Sequence, residues 1–372
     1  MSTRGRTIRL GTRGSDLALR QAAAVAERLE ERRFDVEVVE VETTGDRITD
    51  ELIHRLGKTG AFVRDLDEEV LSGEVDAAVH SMKDMPTEMP EDLVVAGVPQ
   101  RATPGDVLLT PEGSSLAGLP EGATVGTSSL RRGAQLLANR GDLEIEPLRG
   151  NVDTRVEKLL APSLTREYTT RLDAEEAEAD PNEDKAEYPD YDQTVEEWFD
   201  GLAEIERRAL ERDVETEYDA ICLAEAGLDR SGLLHHVEYE RLTPTEFVPA
   251  PGQGALAVTA LDGETAETIH GMLDHPPTRV ETTVERTILA ELGGGCVAPV
   301  GIYARLQGEV VTTTVRVLAQ DGSEEIGATR DLPVARHAEA AREFAAELAE
   351  QGAKRLIQEA RRDEPDEAKR EQ

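Results

Sequence analysis

Hydrophobic and polar positions recur with two different periods along this chain, and the switches between them mark its elements. TIRLGTRGSDLALRQAAAVAERLEE opens on a short apolar stretch, breaks at glycine, and continues with Leu17, Val25 and Leu29 on or near one helical face. That pattern predicts strand, turn and amphipathic helix. VEVVEVE follows as a β-branched strand, and VDAAVHSMKD as a near-continuous apolar strand that ends in polar residues. ATVGTSSLRRGAQLLANR repeats the strand, turn and helix plan, and YDAICLAEAGL supplies another buried strand. This alternation predicts α/β domains with mainly parallel sheets. In such sheets ligands bind beyond the carboxyl ends of the strands, where TRGS, HSMKD and GTSSLRR all fall.

The later segments read differently. Residues 173–193, DAEEAEADPNEDKAEYPDYDQ, are dense in Asp and Glu, with two prolines and one lysine. Such a stretch buries too little to offset its ordering entropy and is expected to be a disordered loop. Behind it, Thr194 and Glu197 stand at capping-box spacing. Trp198, Phe199, Leu202, Ile205 and Leu210 then fall on or near one side, which predicts a surface helix docked on its domain. From about Asp274 onward, VVTTTVRVLAQDGS reads as a strand with a D-G turn and AEAAREFAAELAEQGAKRLIQEA as a helix, enough for a small α/β domain.

Composition sets outer bounds on this plan. The 372 residues, 38% of them hydrophobic, are too many for one compact domain. No apolar run reaches the roughly eighteen residues of a membrane span and the start lacks a signal-like apolar region, so the expectation is a cytoplasmic protein. Two distant cysteines without CxxC or paired-His spacing predict neither a disulfide framework nor a metal site. The formal charge of −36, from 77 acidic against 41 basic residues, disfavours nucleic acid and anionic membranes as partners. It suits a high-salt cytoplasm, where a Debye length of about 3 Å at 1 M screens self-repulsion.

Against that acidity, arginines gather at strand ends and turns: Arg13, Arg131, Arg132, Arg149 and Arg155. A guanidinium engages carboxylate or phosphate bidentately, so these positions suggest an anion cleft. GTSSLRRG adds hydroxyls and backbone N–H groups at a helix start. Ordinary capping by Ser128 or Ser129, with solvated arginines, would leave the same trace. In HSMKDMP, Lys83 and Asp84 put a cation and a carboxylate at a strand end ahead of Pro86, although a solvated turn would do so too. In GGGCVAP, Cys296 follows three glycines, where backbone freedom lets a ligand approach closely. A small buried hydrophobe is the other reading of a lone cysteine.

Taken together, AVHSMKDMP, GTSSLRR, LRGNVDTR, PGQGA and GGGC, in this order, resemble the porphobilinogen deaminase (hydroxymethylbilane synthase) family. The resemblance runs from about Ile8 to Ile357 and lapses between about Ala161 and Glu217. It implies a transferase that condenses four porphobilinogen molecules head to tail, releasing ammonia each time, to give hydroxymethylbilane for tetrapyrrole synthesis. It also implies a dipyrromethane cofactor held covalently by a thioether at Cys296, while Cys222, inside an apolar strand, stays a core residue. By motif matching, Ser81, Lys83, Asp84, Ser129, Arg131 and Arg132 bind the cofactor, and Arg13, Ser15, Arg149 and Arg155 bind substrate carboxylates. Asp84 matches the catalytic aspartate, stabilising the electron-poor azafulvene left by ammonia and serving the later proton loss. The family's mobile loop often has glycine then lysine before a phenylalanine, whereas this chain reads RLGKTGAFVRDL. Phe62 keeps the aromatic position, and Arg55 and Lys58 both remain candidates for the cationic role.

The expected architecture has three domains. Residues 1–103 with 248–273 form the first and 104–247 the second, two periplasmic-binding-protein-like α/β units flanking a cleft. Residues 274–372 form a smaller α/β domain carrying Cys296. The resemblance further implies a monomer acting on a small-molecule substrate. A non-catalytic binder of an anionic solute would use the arginines but not Cys296 or Asp84. Phosphate-ester chemistry at GTSSLRR would lack a Walker lysine.

Overall fold

The computed structural model describes residues 7–31, 34–42, 61–179, 188–295 and 298–362. Three sheets organise them. The first takes β1 (Thr7–Arg13), β2 (Asp35–Val41), β3 (Ala77–Ser81), β4 (Leu93–Gly97) and β10 (Leu256–Leu261) in the order β2-β1-β3-β10-β4. The second takes β5 (Asp106–Leu109), β6 (Thr124–Gly126), β7 (Glu144–Glu146), β8 (Ala220–Ala224) and β9 (Tyr239–Leu242) in the order β7-β6-β8-β5-β9. The third is a meander of β11 (Val300–Gln307), β12 (Val310–Leu318) and β13 (Glu325–Pro333).

The sheets are mixed, not mainly parallel. β1 pairs in parallel with β2 and β3, but β10 lies antiparallel between β3 and β4. The second sheet repeats this, with β6 parallel to β7 and β8 but β5 antiparallel to β8 and β9. The reason is chain path: β10 returns from the second unit and enters the first sheet at the edge where β3 leaves it. Sequence periodicity carries no information about that direction.

Each sheet buries its own core. Helix α1 (Asp16–Glu30) begins where Ser15 Oγ accepts from the Ala18 N–H at 3.4 Å, and it lays Ala22, Val25 and Leu29 onto Leu10, Ala77 and Val258. Leu17 is only half-buried. Helix α2 (Ala61–Ser72) covers the other face with Leu66 and Val70, and α8 (Glu264–Leu273) returns to the first core through Ile269 and Leu273. Around the third sheet, α9 (Pro276–Glu291), α10 (His337–Glu350) and α11 (Ala353–Arg362) bury Val284, Ile288, Phe344 and Ile357.

The acidic stretch corrects one expectation. Helix α4 (Val152–Ala179) continues through residues 173–179, burying Ala174 and Ala177, and Glu175 Oε1 accepts from the Val195 N–H at 2.7 Å. Alanine and glutamate are strong helix formers, and two buried alanines suffice to dock this turn. Residues 180–187 lie outside the described residues. Beyond them the expected single helix is two, α5 (Val195–Gly201) and α6 (Glu204–Leu210). Thr194 and Glu197 form the predicted capping box. Trp198, Leu202 and Leu210 pack beside Ala161 and Leu164, and Ile205 enters the second core with Leu228 of α7 (Glu225–Ser231), but Phe199 is exposed. Ion pairs pin α6 and the residues just after it to α4: Arg208 to Asp153 at 3.0 Å, and Arg208 and Arg212 to the fully buried Glu157.

Candidate active site

Parallel pairing puts the carboxyl ends of β1 and β3 on one sheet edge, so Arg13 and Ser15 stand at the same edge as Ser81. After Ser81 the chain makes one 3-10 turn, Met82–Asp84. Met82 and Met85 sink into a core with Val63 and Ala255, which anchors the turn from below. Lys83 is left half-buried and Asp84 exposed above it. Beneath the turn passes PGQGA. Gly252 has φ +75°, and a Cβ there would come within 2.9 Å of Met82 Cγ, so only glycine lets this segment cross so close.

The second sheet answers with GTSSLRR. Ser129 caps helix α3 (Leu130–Asn139), its side chain accepting from the Arg132 N–H at 3.4 Å, while Ser128 Oγ donates to the Leu148 carbonyl at 2.7 Å. The arginines that follow are not solvated. Both are buried against Asp106, itself fully buried: Arg131 Nη1 lies 2.7 Å from Oδ2 and Arg132 Nε 2.9 Å from Oδ1. Gln253, from PGQGA, donates to Asp106 Oδ1 at 3.0 Å and to the Pro104 carbonyl at 2.6 Å. Burial alone would raise the Asp106 carboxyl, but Arg131 and Arg132 outweigh it and hold the group below the ordinary carboxylate range. Neither Asp106 nor Gln253 was singled out from sequence; a carboxylate opening a buried strand was the available signal.

One acid serves two cations here, so positive charge is in excess. Helix α4 supplies more of it. Arg155, half-buried, donates from Nε to the Gly150 carbonyl at 2.8 Å. Burial, and then the charge of Arg132, push its guanidinium down to about 10. Asp84 pulls the Lys83 ammonium up, yet burial with the charges of Arg132 and Arg155 leaves it below its ordinary value. Lys158, also missed from sequence, is lowered by burial and by Arg212, Arg155 and Arg149, and it donates to the Arg149 carbonyl at 3.3 Å. The structure thus brings Lys83, Arg132 and Arg155 into mutual repulsion, with Asp84 beside them. In a chain of charge −36, a cluster of cations repelling one another is a place prepared for anions.

Arg55, Lys58 and Cys296 lie outside the described residues, and Phe62 is described only as backbone in the first turn of α2. The glycine turn before Cys296 is described: Gly293 has φ +68°, and its carbonyl accepts from Arg361 Nη2 at 2.6 Å. Cys222 is fully buried in β8, and burial first, then Asp106, push its thiol up to about 12. It is inert as a nucleophile at neutral pH. Among the described residues no cluster of metal-ligating side chains occurs, and no helix is long and apolar enough to cross a membrane.

Comparison with known proteins identifies the family. The family model "Porphobilinogen deaminase, dipyromethane cofactor binding domain" matches residues 8–170 and 202–268, and "Porphobilinogen deaminase, C-terminal domain" matches 280–354. The chain belongs to the porphobilinogen deaminase family. A probable porphobilinogen deaminase of Halobacterium salinarum is 54% identical over 95% of this chain and 98% of its own. One of Methanococcoides burtonii is 38% identical over 94% and 96%, respectively. The family's reaction, condensation of porphobilinogen with loss of ammonia to give hydroxymethylbilane, is therefore this chain's activity, with dipyrromethane as its cofactor. Within its span the first family model lapses over 171–201, a shorter gap than the 161–217 expected from motifs. Solved structures such as the ectoine binding protein TeaA match at a TM-score of 0.34 and 11% identity over 96% of this chain and 98% of theirs, too low to bear on the fold.

The residues present fit a polycarboxylate cofactor. Arg131 Nε is buried without a hydrogen-bond partner among the described residues, and Arg155 sits among cations. Both are conditions that a carboxylate-bearing group relieves.

Proposed function

We propose that the chemistry runs in a cleft between the first two units, in the manner of periplasmic binding proteins, with Asp84 as the catalytic carboxylate and Cys296 as the cofactor attachment point. In this reading residues 1–103 with 248–273, 104–247 and 274–372 are the three domains. The observation that carries it is the cation cluster of Lys83, Arg132 and Arg155 beside one exposed carboxylate, in an otherwise strongly acidic chain.

The bound dipyrromethane supplies the free pyrrole carbon to which the first substrate ring is added. Each addition forms one carbon–carbon bond, breaks the substrate's carbon–nitrogen bond with departure of ammonia, and ends with loss of a proton from the attacking ring carbon. Asp84 stabilises the positive charge left on the substrate and takes up or relays that proton. Ser81, Lys83, Ser129, Arg131 and Arg132 hold cofactor carboxylates, and Arg13, Ser15, Arg149 and Arg155 those of incoming porphobilinogen. Arg55 or Lys58 takes the cationic role of the family's loop, and Phe62 its aromatic one. The chain acts as a cytoplasmic monomer in high salt.

Intact mass tests the attachment. Wild-type and Cys222→Ala proteins should exceed their chain masses by one dipyrromethane, and Cys296→Ala should match its chain mass and be inactive. An unmodified wild-type protein with full activity would overturn the assignment.

A further inference from the structure

Helix α9 belongs to the third unit, yet one of its side chains grips the turn that carries Lys83 and Asp84. Arg286, half-buried, directs Nη1 at the Met82 and Met85 carbonyls at 3.5 and 3.3 Å, and Nη2 at the Pro86 carbonyl at 2.6 Å. These acceptors lie at the first residue of the 3-10 turn and just past its end. A guanidinium is the one side chain whose rigid fork reaches several carbonyls at once. The next residue back, Glu285, is fully buried and fixes the helix itself: it accepts from Gly252 N at 2.7 Å, Ala304 N at 2.9 Å and Arg101 Nη1 at 2.7 Å. Neighbouring residues on α9 therefore bind the catalytic turn, the segment passing beneath it and the third sheet.

The same helix ends at Leu292, immediately before the glycine turn that leads to Cys296. Leu292 lies six positions beyond Arg286, about 9 Å along the helix axis. We infer that Arg286 is a positioning residue: α9 works as a fixed spacer between the catalytic turn and the cofactor-bearing turn, and Arg286 is the pin at its catalytic end. This rests on Asp84 and Cys296 having the roles proposed above. Arg286 acts through the backbone carbonyls of the turn. It sets where Asp84 stands relative to the glycine turn at the other end of its own helix.

The test uses the full-length holoenzyme and the variants Arg286→Gln and Arg286→Lys at constant high salt. Misplacement of a catalytic group by about 1 Å costs up to about 100-fold, so kcat for Arg286→Gln should fall by about 10- to 100-fold with KM for porphobilinogen within about threefold. Intact mass should still show the dipyrromethane, and amide exchange in the 82–86 segment should quicken while that of β11 does not. Arg286→Lys, which keeps the charge but not the fork, should recover only part of kcat. Wild-type kcat in Arg286→Gln, loss of the adduct, or a fall in kcat with unchanged exchange at 82–86 would each overturn the inference. Asp84→Asn, measured alongside, separates the two levels. If it is fully active, the catalytic assignment fails; if it is impaired while Arg286→Gln is not, only the positioning role fails.

Discussion

Asp106→Asn is the most informative perturbation of the second unit, because one carboxylate there holds Arg131, Arg132 and Gln253 together. Asparagine keeps the size and an acceptor oxygen but removes the charge, leaving two buried guanidinium groups with no anion between them. Removing one partner of a buried ion pair costs about 3–5 kcal/mol, since the remaining charge stays desolvated. At about 1.4 kcal/mol per factor of ten, that corresponds to roughly 100- to several-thousand-fold faster exchange for the slowest amides of β5 and α3. Amide exchange suits a three-unit chain, for which a single unfolding free energy is ill-defined. The pH dependence has a definite sign. Asp106 has a lowered folded-state value, so its contribution is fully present above the unfolded value of about 3.9 and is lost as pH falls through the folded one. The gap between wild type and variant should be constant from about pH 7 to 5 and shrink only below about 4. A difference under about 1 kcal/mol at pH 7, or a gap that widens in acid, would refute the reasoning.

Two further substitutions address the chemistry. Asp84→Asn should lower turnover by about 100-fold or more while the dipyrromethane stays attached, as expected for loss of a preorganised electrostatic group; wild-type turnover in single-turnover assays would remove Asp84 from its role. Arg155→Gln relieves repulsion with Arg132, so its melting temperature should hold or rise while KM for porphobilinogen increases by about tenfold, one charge-assisted hydrogen bond being worth about 1.5–3 kcal/mol; an unchanged KM would mean that Arg155 does not meet substrate.

Sequence alone determined most element types and where the arginines and polar clusters gather. Period-two and period-3.6 patterns do not depend on distant contacts, which is why β1, α1, β3 and α3 were legible, and why the Thr194–Glu197 capping box was. The polar clusters at strand ends marked the candidate site because a net charge of −36 makes gathered arginines conspicuous. Strand direction was not legible: β10 runs antiparallel because of where the chain comes from, not because of its own residues. Nor was the continuation of α4 through residues 173–179, where two alanines burying against the domain outweigh an acidic composition. Above all, only tertiary structure decided how charges were shared. Arg131 and Arg132 look alike to Arg155 in the sequence, but Asp106 lies about 25 residues before the first two and neutralises them in part, whereas Arg155 is left facing cations. The grip of Arg286 on carbonyls some 200 residues away is of the same kind. Local pattern reports what a segment can become; electrostatic partnership depends on which segments meet, and that is set by the packing of the whole chain.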